Sequence, residues 1–412
     1  MKNRGLFIIF FSGLFFLQGA LSPVFCQNGN WTQWRGSNRD GISQEKILKK
    51  WPETGPKELW RIKLGNGFSA ISVVDDKLYT MFTDGKNEHA ICLLAKDGSE
   101  VWRTQTDKNF PEEFGDGPRC TPLIDGDVVY VISAYAKLYA LNIKDGSEIW
   151  SHDFISEFGA QMPKYAFSMT PIIEGDILYT DVGGKRGYSV MAFDKMTGKV
   201  VWHSQTDMPG YSSPISATIN GLNHIVFLTG TKVVGLDPID GHLYWEFPWT
   251  TNGFINAATP IFIPEDKIFI SAGYGKGAAL LQIDVEGKNA TANLIWVAKK
   301  MKNHMATSIY LDGYIYGFDD RILKCIDAET GKMAWKNRGF GEGTLVYADG
   351  HFIVLGDKGK LALLKATPKA FEQVADGGKP LNDSCWTVPT LANGRLYLRS
   401  KTEVVCFDLK PK

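Results

Sequence analysis

Net charge is what this sequence most plainly lacks. Its 412 residues carry 45 Lys and Arg against 45 Asp and Glu. No basic footprint for nucleic acid is present, and no run of like charges makes a tail. The strongest basic clusters are the Lys pairs at 49–50 and 299–300. Paired cysteines are missing too. Beyond residue 26 there remain Cys92, Cys120, Cys325, Cys385 and Cys406, an odd number with no C-x-x-C. That excludes a disulfide framework and leaves the thiols to pack as small apolar groups. No H-E-x-x-H, G-x-S-x-G or Walker loop occurs, so the commonest hydrolase and nucleotide signatures are excluded. None of the 7 histidines pairs at metal-ligand spacing.

Long apolar runs are confined to one place. "LFIIFFSGLFFL" (6–17) follows Lys2 and Arg4 and precedes "SPVFCQ" (22–27). Charged, apolar and small-polar regions in that order describe a secretory leader. The run is shorter than the ~20 residues a membrane span prefers. Cleavage after Cys26 is expected, with Val24 at the third position before the cut. Lipidation of Cys26 would need a small residue before it, and Phe25 stands there. The expected product is exported, periplasmic or secreted, with outer-membrane association as the variant. It has no transmembrane span once the leader is removed.

Glycine and aromatic residues are what the chain has in quantity: 43 glycines, and 12% Phe, Trp and Tyr. That mixture suits short strands joined by tight turns. One spacing recurs. "DGSEVW", "DGSEIW", "TGKVVW", "DGHLYW" and "TGKMAW" place Gly98, Gly146, Gly198, Gly241 and Gly331 four residues before Trp102, Trp150, Trp202, Trp245 and Trp335. The stretch 121–150 shows a whole unit. Thr-Pro opens a first strand, an Asp-Gly turn follows, "DVVYVI" reads as a strand alternating with period two, and "KLYALN" and "SEIW" complete it. Glycine supplies positive φ in the last turn, and tryptophan supplies a large apolar wedge between sheets. Units of roughly 45 residues suit four-stranded blades. The last body, 385–409, stops three strands in, whereas "ELWRIKL" (58–64) is a fourth strand without a body. Each completes the other. The prediction is an all-β, eight-bladed β-propeller, closed by pairing of the N-terminal strand with the last blade. "FEQVA" (371–375) is expected as the outer strand of blade 7, with Val374 in the tryptophan slot.

This unit resembles the pyrroloquinoline-quinone (PQQ) repeat, and "WTQWRGSNRDG" (31–41) resembles the N-terminal segment of exported PQQ-like propellers. The resemblance covers nearly the whole mature chain, and the expected organisation is a leader (1–26), an N-terminal closing segment (27–57) and the propeller (58–412). It implies two function classes. One is a non-catalytic envelope scaffold similar to the BamB branch, with no cofactor. The other is a PQQ-dependent alcohol or sugar dehydrogenase, which would hold PQQ and calcium on the axis. The vicinal Cys-Cys pair of many such dehydrogenases is absent here, and no motif matches their calcium-binding Glu, Asn and Asp. The scaffold is the favoured expectation.

Blade register also nominates a site. Segments entering innermost strands should line one mouth of the central channel, where ligands gather. That places Arg119, Phe167, Tyr211, Asn256, His304, Glu342 and Trp386 at the mouth. Two insertions sharing "EFG", 106–119 and 152–167, add Glu113, Asp116, Glu157, Lys164 and Tyr165 to one sector. The candidate ligand-binding set is Asp116, Arg119, Glu157, Tyr211, Asn256, His304, Glu342 and Trp386. A protein, small-molecule or carbohydrate partner at this face is expected, with a monomeric chain. A polysaccharide-cleaving role would require paired carboxylates, with Glu157 and Glu342 as the candidates. "GYGKG" (273–277) and Asp319-Asp320-Arg321 read as polar blade turns.

Overall fold

The computed structural model describes residues 29–411, and the expected leader lies outside them. Among the described residues the chain makes eight antiparallel four-stranded blades arranged as a propeller, with very little helix. Blade 1 runs from the axis outward as Ser72–Val74, Lys77–Thr83, Asn87–Leu94 and Glu100–Lys108. Blades 2 to 7 begin at Leu123, Ile172, Ile215, Ile261, Ile309 and Thr344. Blade 8 takes Thr390–Ala392, Arg395–Arg399 and Glu403–Asp408 from the C-terminal end, and its outer strand is Lys57–Lys63. The ring therefore closes by hydrogen bonds between the two ends of the chain. No open inter-blade edge remains.

The Gly-x-x-x-Trp motif joins neighbouring blades rather than acting within one. The Trp102 indole N–H donates to the Ile143 carbonyl in the last turn of blade 2 at 3.0 Å, and Trp150 repeats this to Lys195 of blade 3. Trp60, on the closing strand, donates to Ala95 of blade 1 at 2.9 Å. The glycine of each following turn lies flat on that ring. At Gly146, with φ +72°, a Cβ would stand 2.4 Å from Trp102. Trp245 departs from the pattern and donates to His224 Nδ1 at 3.2 Å. The next blade replaces the tight turn with a long hairpin, Gly277–Glu286 and Asn289–Ala298.

A β-bulge one residue before the tryptophan aims each ring inward. Trp102 pairs with Cys92 and Glu100 with Leu93, leaving Val101 unpaired and outward. Blade 7 corrects the sequence reading here. Ala375 pairs with Leu363 and Gln373 with Leu364, so Ala375 fills the tryptophan slot. Val374 is the bulged residue and is 43% exposed. The bulge shifts the register by one, which moves a side chain to the other face. A second difference concerns the second strand of each blade. Val128–Ile132 is buried at all five positions, because blades cover both of its faces and leave no solvent side to require alternation.

The segment before the first blade fills the axis. Trp31 exchanges backbone bonds with Val73 of blade 1, and the Thr32 carbonyl accepts from Ile124 of blade 2. Arg39 donates to Thr170 and Pro171 of blade 3 and to Pro214 of blade 4. The Trp34 indole reaches Thr259 of blade 5, and Arg35 reaches Thr307 and Ser308 of blade 6. Ile42–Ser43 pairs in parallel with blade 7, and Glu45 accepts from the Asn393 and Gly394 amides of blade 8. Residues 31–45 thus touch the innermost strand or first turn of every blade. Gly36, at φ +86°, allows the segment to fold over the Trp31 ring, where a Cβ would lie 3.1 Å away.

Candidate binding site at the axial mouth

Opposite this plug lies a cavity of about 410 Å³, formed by the loops that enter the innermost strands. Trp34 contributes to its lining from the plug, held by a 3.0 Å bond from its indole N–H to Thr259 Oγ1. A belt of hydroxyl side chains runs around the axis below the rim. Ala70 N–H donates to Thr121 Oγ1, Thr121 N–H to Thr170 Oγ1, and Thr170 N–H to Ser213 Oγ at 2.9 Å. Thr259 N–H donates to Thr307 Oγ1 at 3.0 Å. Each step ties one blade to the next. The proline that follows Thr121, Thr170, Ser213 and Thr259 has no N–H to satisfy. The repeated Thr-Pro of the sequence is thus an inter-blade device.

Five of the nominated residues line this cavity: Arg119, Tyr211, His304, Glu342 and Trp386. Arg119 is anchored by its own insertion, donating to Gly117 O at 2.6 Å, Gly115 O at 3.1 Å and Glu112 Oε2 at 3.2 Å. Burial lowers its pKa from the ordinary arginine value. Its guanidinium also lies 5.7 Å from the centre of the Phe68 ring. Glu342 sits between His304, 3.4 Å away at Nδ1, and Arg321, 3.7 Å away at Nε. The His304 side chain holds the Glu342 carboxyl below its usual range against the opposing cost of burial. Gly273 lets its turn approach His304, since a Cβ there would stand 2.7 Å from the imidazole.

Three nominated residues lie elsewhere. Asp116 accepts from Asn109 Nδ2 and the Glu112 N–H, and so shapes its own loop. Glu157 is in the short helix Phe154–Phe158 that the second insertion makes. It accepts from the Asp153 N–H at 2.7 Å and meets His152 Nδ1 at 2.7 Å. This is a capping box, so Glu157 does not share the cavity with Glu342. Asn256 is fully buried, donating to the Thr229 and Trp249 carbonyls. Phe167 is likewise in the core. Register alone fixes distance along the axis but not side-chain direction, and these three point into loop or core structure.

Much of the wall is aromatic. Phe68 stacks on Trp386 at 4.9 Å and 26°. Phe114 follows, tilted at 58° to Trp386 and 59° to Tyr165, and Tyr165 is tilted at 45° to Tyr211. The Tyr165 N–H donates to the Tyr211 hydroxyl at 3.2 Å. The two insertions also meet through Lys164 and Glu113 at 3.7 Å. Tyr274, from "GYGKG", stands 4.6 Å from His304, and burial pushes its phenol up to about 12. Trp34, Phe68, Phe114, Glu112, Tyr274 and Arg321 were not in the nominated set. "EFG" for Phe114, and the glycines around Tyr274, were the available signals.

Among the described residues no three His, Cys, Asp or Glu side chains gather as a metal-binding group. Glu112 and Glu342 are both committed to basic partners. The donor set does not fit a calcium-bound quinone, and no redox step is drawn through one. Among the described residues the five cysteines are free and buried. Burial pushes Cys120 up to about 12, so it is an inert thiol.

An eight-bladed propeller of PQQ-type repeats with an aromatic axial pocket is the class these features define. The family model described as "Outer membrane protein assembly factor BamB" matches residues 86–337 and 319–410, and the chain belongs to that family. It is similar to the quinoprotein alcohol dehydrogenase PedH of Pseudomonas putida, 26% identical over 182 residues, covering 42% of this chain and 29% of that protein. It is also similar to the outer membrane protein assembly factor BamB of Nitrosomonas eutropha, 24% identical over 243 residues, covering 50% of this chain and 57% of the other. The matches thus span less than two thirds of either relative. The crystal structure of BamB from Moraxella catarrhalis superposes with a TM-score of 0.62 at 15% identity, covering 86% of this chain and 99% of that one. That last likeness concerns the fold alone.

Proposed function

We propose that the protein is an exported propeller of the cell envelope that binds a ligand or protein partner at its axial mouth and performs no chemistry there. One observation carries this reading. Both carboxylates facing the cavity lie in ion pairs, Glu112 with Arg119 and Glu342 with His304 and Arg321, so neither stands as an unpaired carboxylate base over the aromatic wall. General-base oxidation needs such a group within hydrogen-bond reach of the substrate. The family's scaffold members are the nearest functional model, and the leader at 1–26, closing segment at 27–57 and propeller at 58–412 form the accompanying organisation. A second reading, a PQQ-dependent dehydrogenase, is favoured by the likeness to PedH.

Dye-linked oxidation of alcohols and sugars by the purified chain, with PQQ and calcium added, separates the two. The expected result is no turnover above the protein-free rate. Calcium-dependent turnover that Glu342→Gln abolishes would replace the scaffold with the enzyme.

A further inference from the structure

The chemistry of the mouth narrows its ligand, given the reading above that this mouth is a binding site. The hydroxyl belt consumes amides just before the innermost strands, and the plug pairs with backbone groups of those strands, Trp31 with Val73, the Thr32 carbonyl with the Ile124 N–H and Ile42–Ser43 with blade 7. An extended peptide adding a strand needs a free edge of that kind, so recognition here falls to side chains.

Their charges cancel. Arg119 stands with Glu112, and Arg321 and His304 with Glu342. A multiply charged ligand would find no excess of opposite charge. The rings favour one ligand shape. Phe114 is tilted by 58° and 59° to its two neighbours, and Tyr165 by 45° to Tyr211. A flat heteroaromatic stacks on one face of this arc at a time. A puckered ring with polarised C–H groups on several sides can meet several tilted faces at once, because each ring face is electron-rich.

Polar capacity is also left over. The Trp386 indole N–H, the Tyr274 hydroxyl and the Arg119 Nε make no hydrogen bond among the described residues, although each belongs to a residue on the cavity wall. Glu342 has only contacts of 3.4 Å and longer, so its oxygens still accept. Donors and acceptors thus alternate with apolar faces, which matches hydroxyl groups that both give and take hydrogen bonds. About 410 Å³ is within the range of small-molecule sites. Phe114, 51% exposed at the rim, extends the apolar wall outward beyond the enclosed volume.

We propose that the mouth binds an uncharged saccharide, the end of a glycan chain. A sugar ring packs into the Trp386–Phe114–Tyr165 arc, with hydroxyls bonded to Arg119 and Glu342.

The test uses the full mature chain and its tryptophan fluorescence, titrated with neutral hexasaccharides of glucose, xylose and N-acetylglucosamine and with a uronate hexasaccharide. At least one neutral member is expected to bind. Phe114→Ala and Glu342→Gln should each weaken it by about tenfold or more, with Ile239→Ser on the outer rim unchanged. Phe114 is exposed, so its loss leaves folding intact, and a thermal melt of each variant checks this. Preference for the uronate, or no binding by any member, overturns the saccharide assignment. If a peptide library then yields a ligand weakened by Phe114→Ala, the mouth remains the site and its ligand is a protein. If envelope partners bind with no sensitivity to Phe114→Ala or Trp386→Ala, the mouth itself is not the site.

Discussion

Glu88 and Asp181 are buried carboxyls whose ionisation the fold suppresses. Glu88 accepts from Thr106 Oγ1 and from the Ala134 N–H inside the blade 1–2 interface, and burial pushes it up to about 8. Asp181 accepts from the Gly210 N–H, and burial pushes it up to about 7. An acid with a raised folded pKa binds its proton more tightly when folded. Its contribution is complete below the unfolded value near 4 and is lost as pH rises through the folded one. Stability to urea should therefore fall between about pH 4.5 and 8. Glu88→Gln and Asp181→Asn should flatten that slope, because an amide keeps hydrogen bonds without a charge to bury. A slope unchanged in the double variant would mean that neither group is held neutral. Both carboxylates were invisible as special in the sequence, since their partners come from other turns of the chain.

Among the elements, the axial plug matters most for the site. Arg35 and Arg39 are buried and bonded mainly to carbonyls, and burial lowers them to about 10 and about 9. Their charge is met by peptide dipoles from blades 3, 4 and 6 and from the plug itself. Replacing Arg39 by Met leaves those carbonyls without donors. The expected loss is about 2–4 kcal/mol, read as a lower urea midpoint at unchanged m-value. An unaltered midpoint would show that the plug rests on the ring without holding it. The sequence marked 31–41 as distinctive by resemblance. Only the fold shows that its short loops, with positive φ at Arg35, Gly36, Arg39 and Gly41, bring it against all eight inner strands.

For the whole molecule, closure is an interface of the same kind as the one between blades 2 and 3. Trp60 comes from the N-terminal strand, yet it packs 6.0 Å from Tyr397 as Trp150 packs 6.0 Å from Tyr130. Each indole also bonds one carbonyl of the following blade. Trp60→Ala and Trp150→Ala should therefore destabilise by similar amounts, about 3–5 kcal/mol. A negligible loss at Trp60 alone, measured by urea denaturation, would mean the ring stands without its closing strand. A much greater loss would mean that closure governs the entire fold.

The repeat spacing by itself determined the blade count, the four-strand unit and the pairing of the chain ends. Those follow from local periods and turn chemistry, which neighbouring residues carry. It also brought Arg119, Tyr211, His304, Glu342 and Trp386 to one mouth, because register fixes height along the axis. Tertiary structure alone decided the direction of each side chain. It turned Glu157 into a helix cap, sent Asn256 and Phe167 inward, and put Ala375 where Val374 was expected. It also set Trp34 and Phe114 into the pocket from segments that no repeat describes. Direction depends on bulges, caps and loop crossings between residues far apart in sequence, and those contacts exist only when the ring is closed.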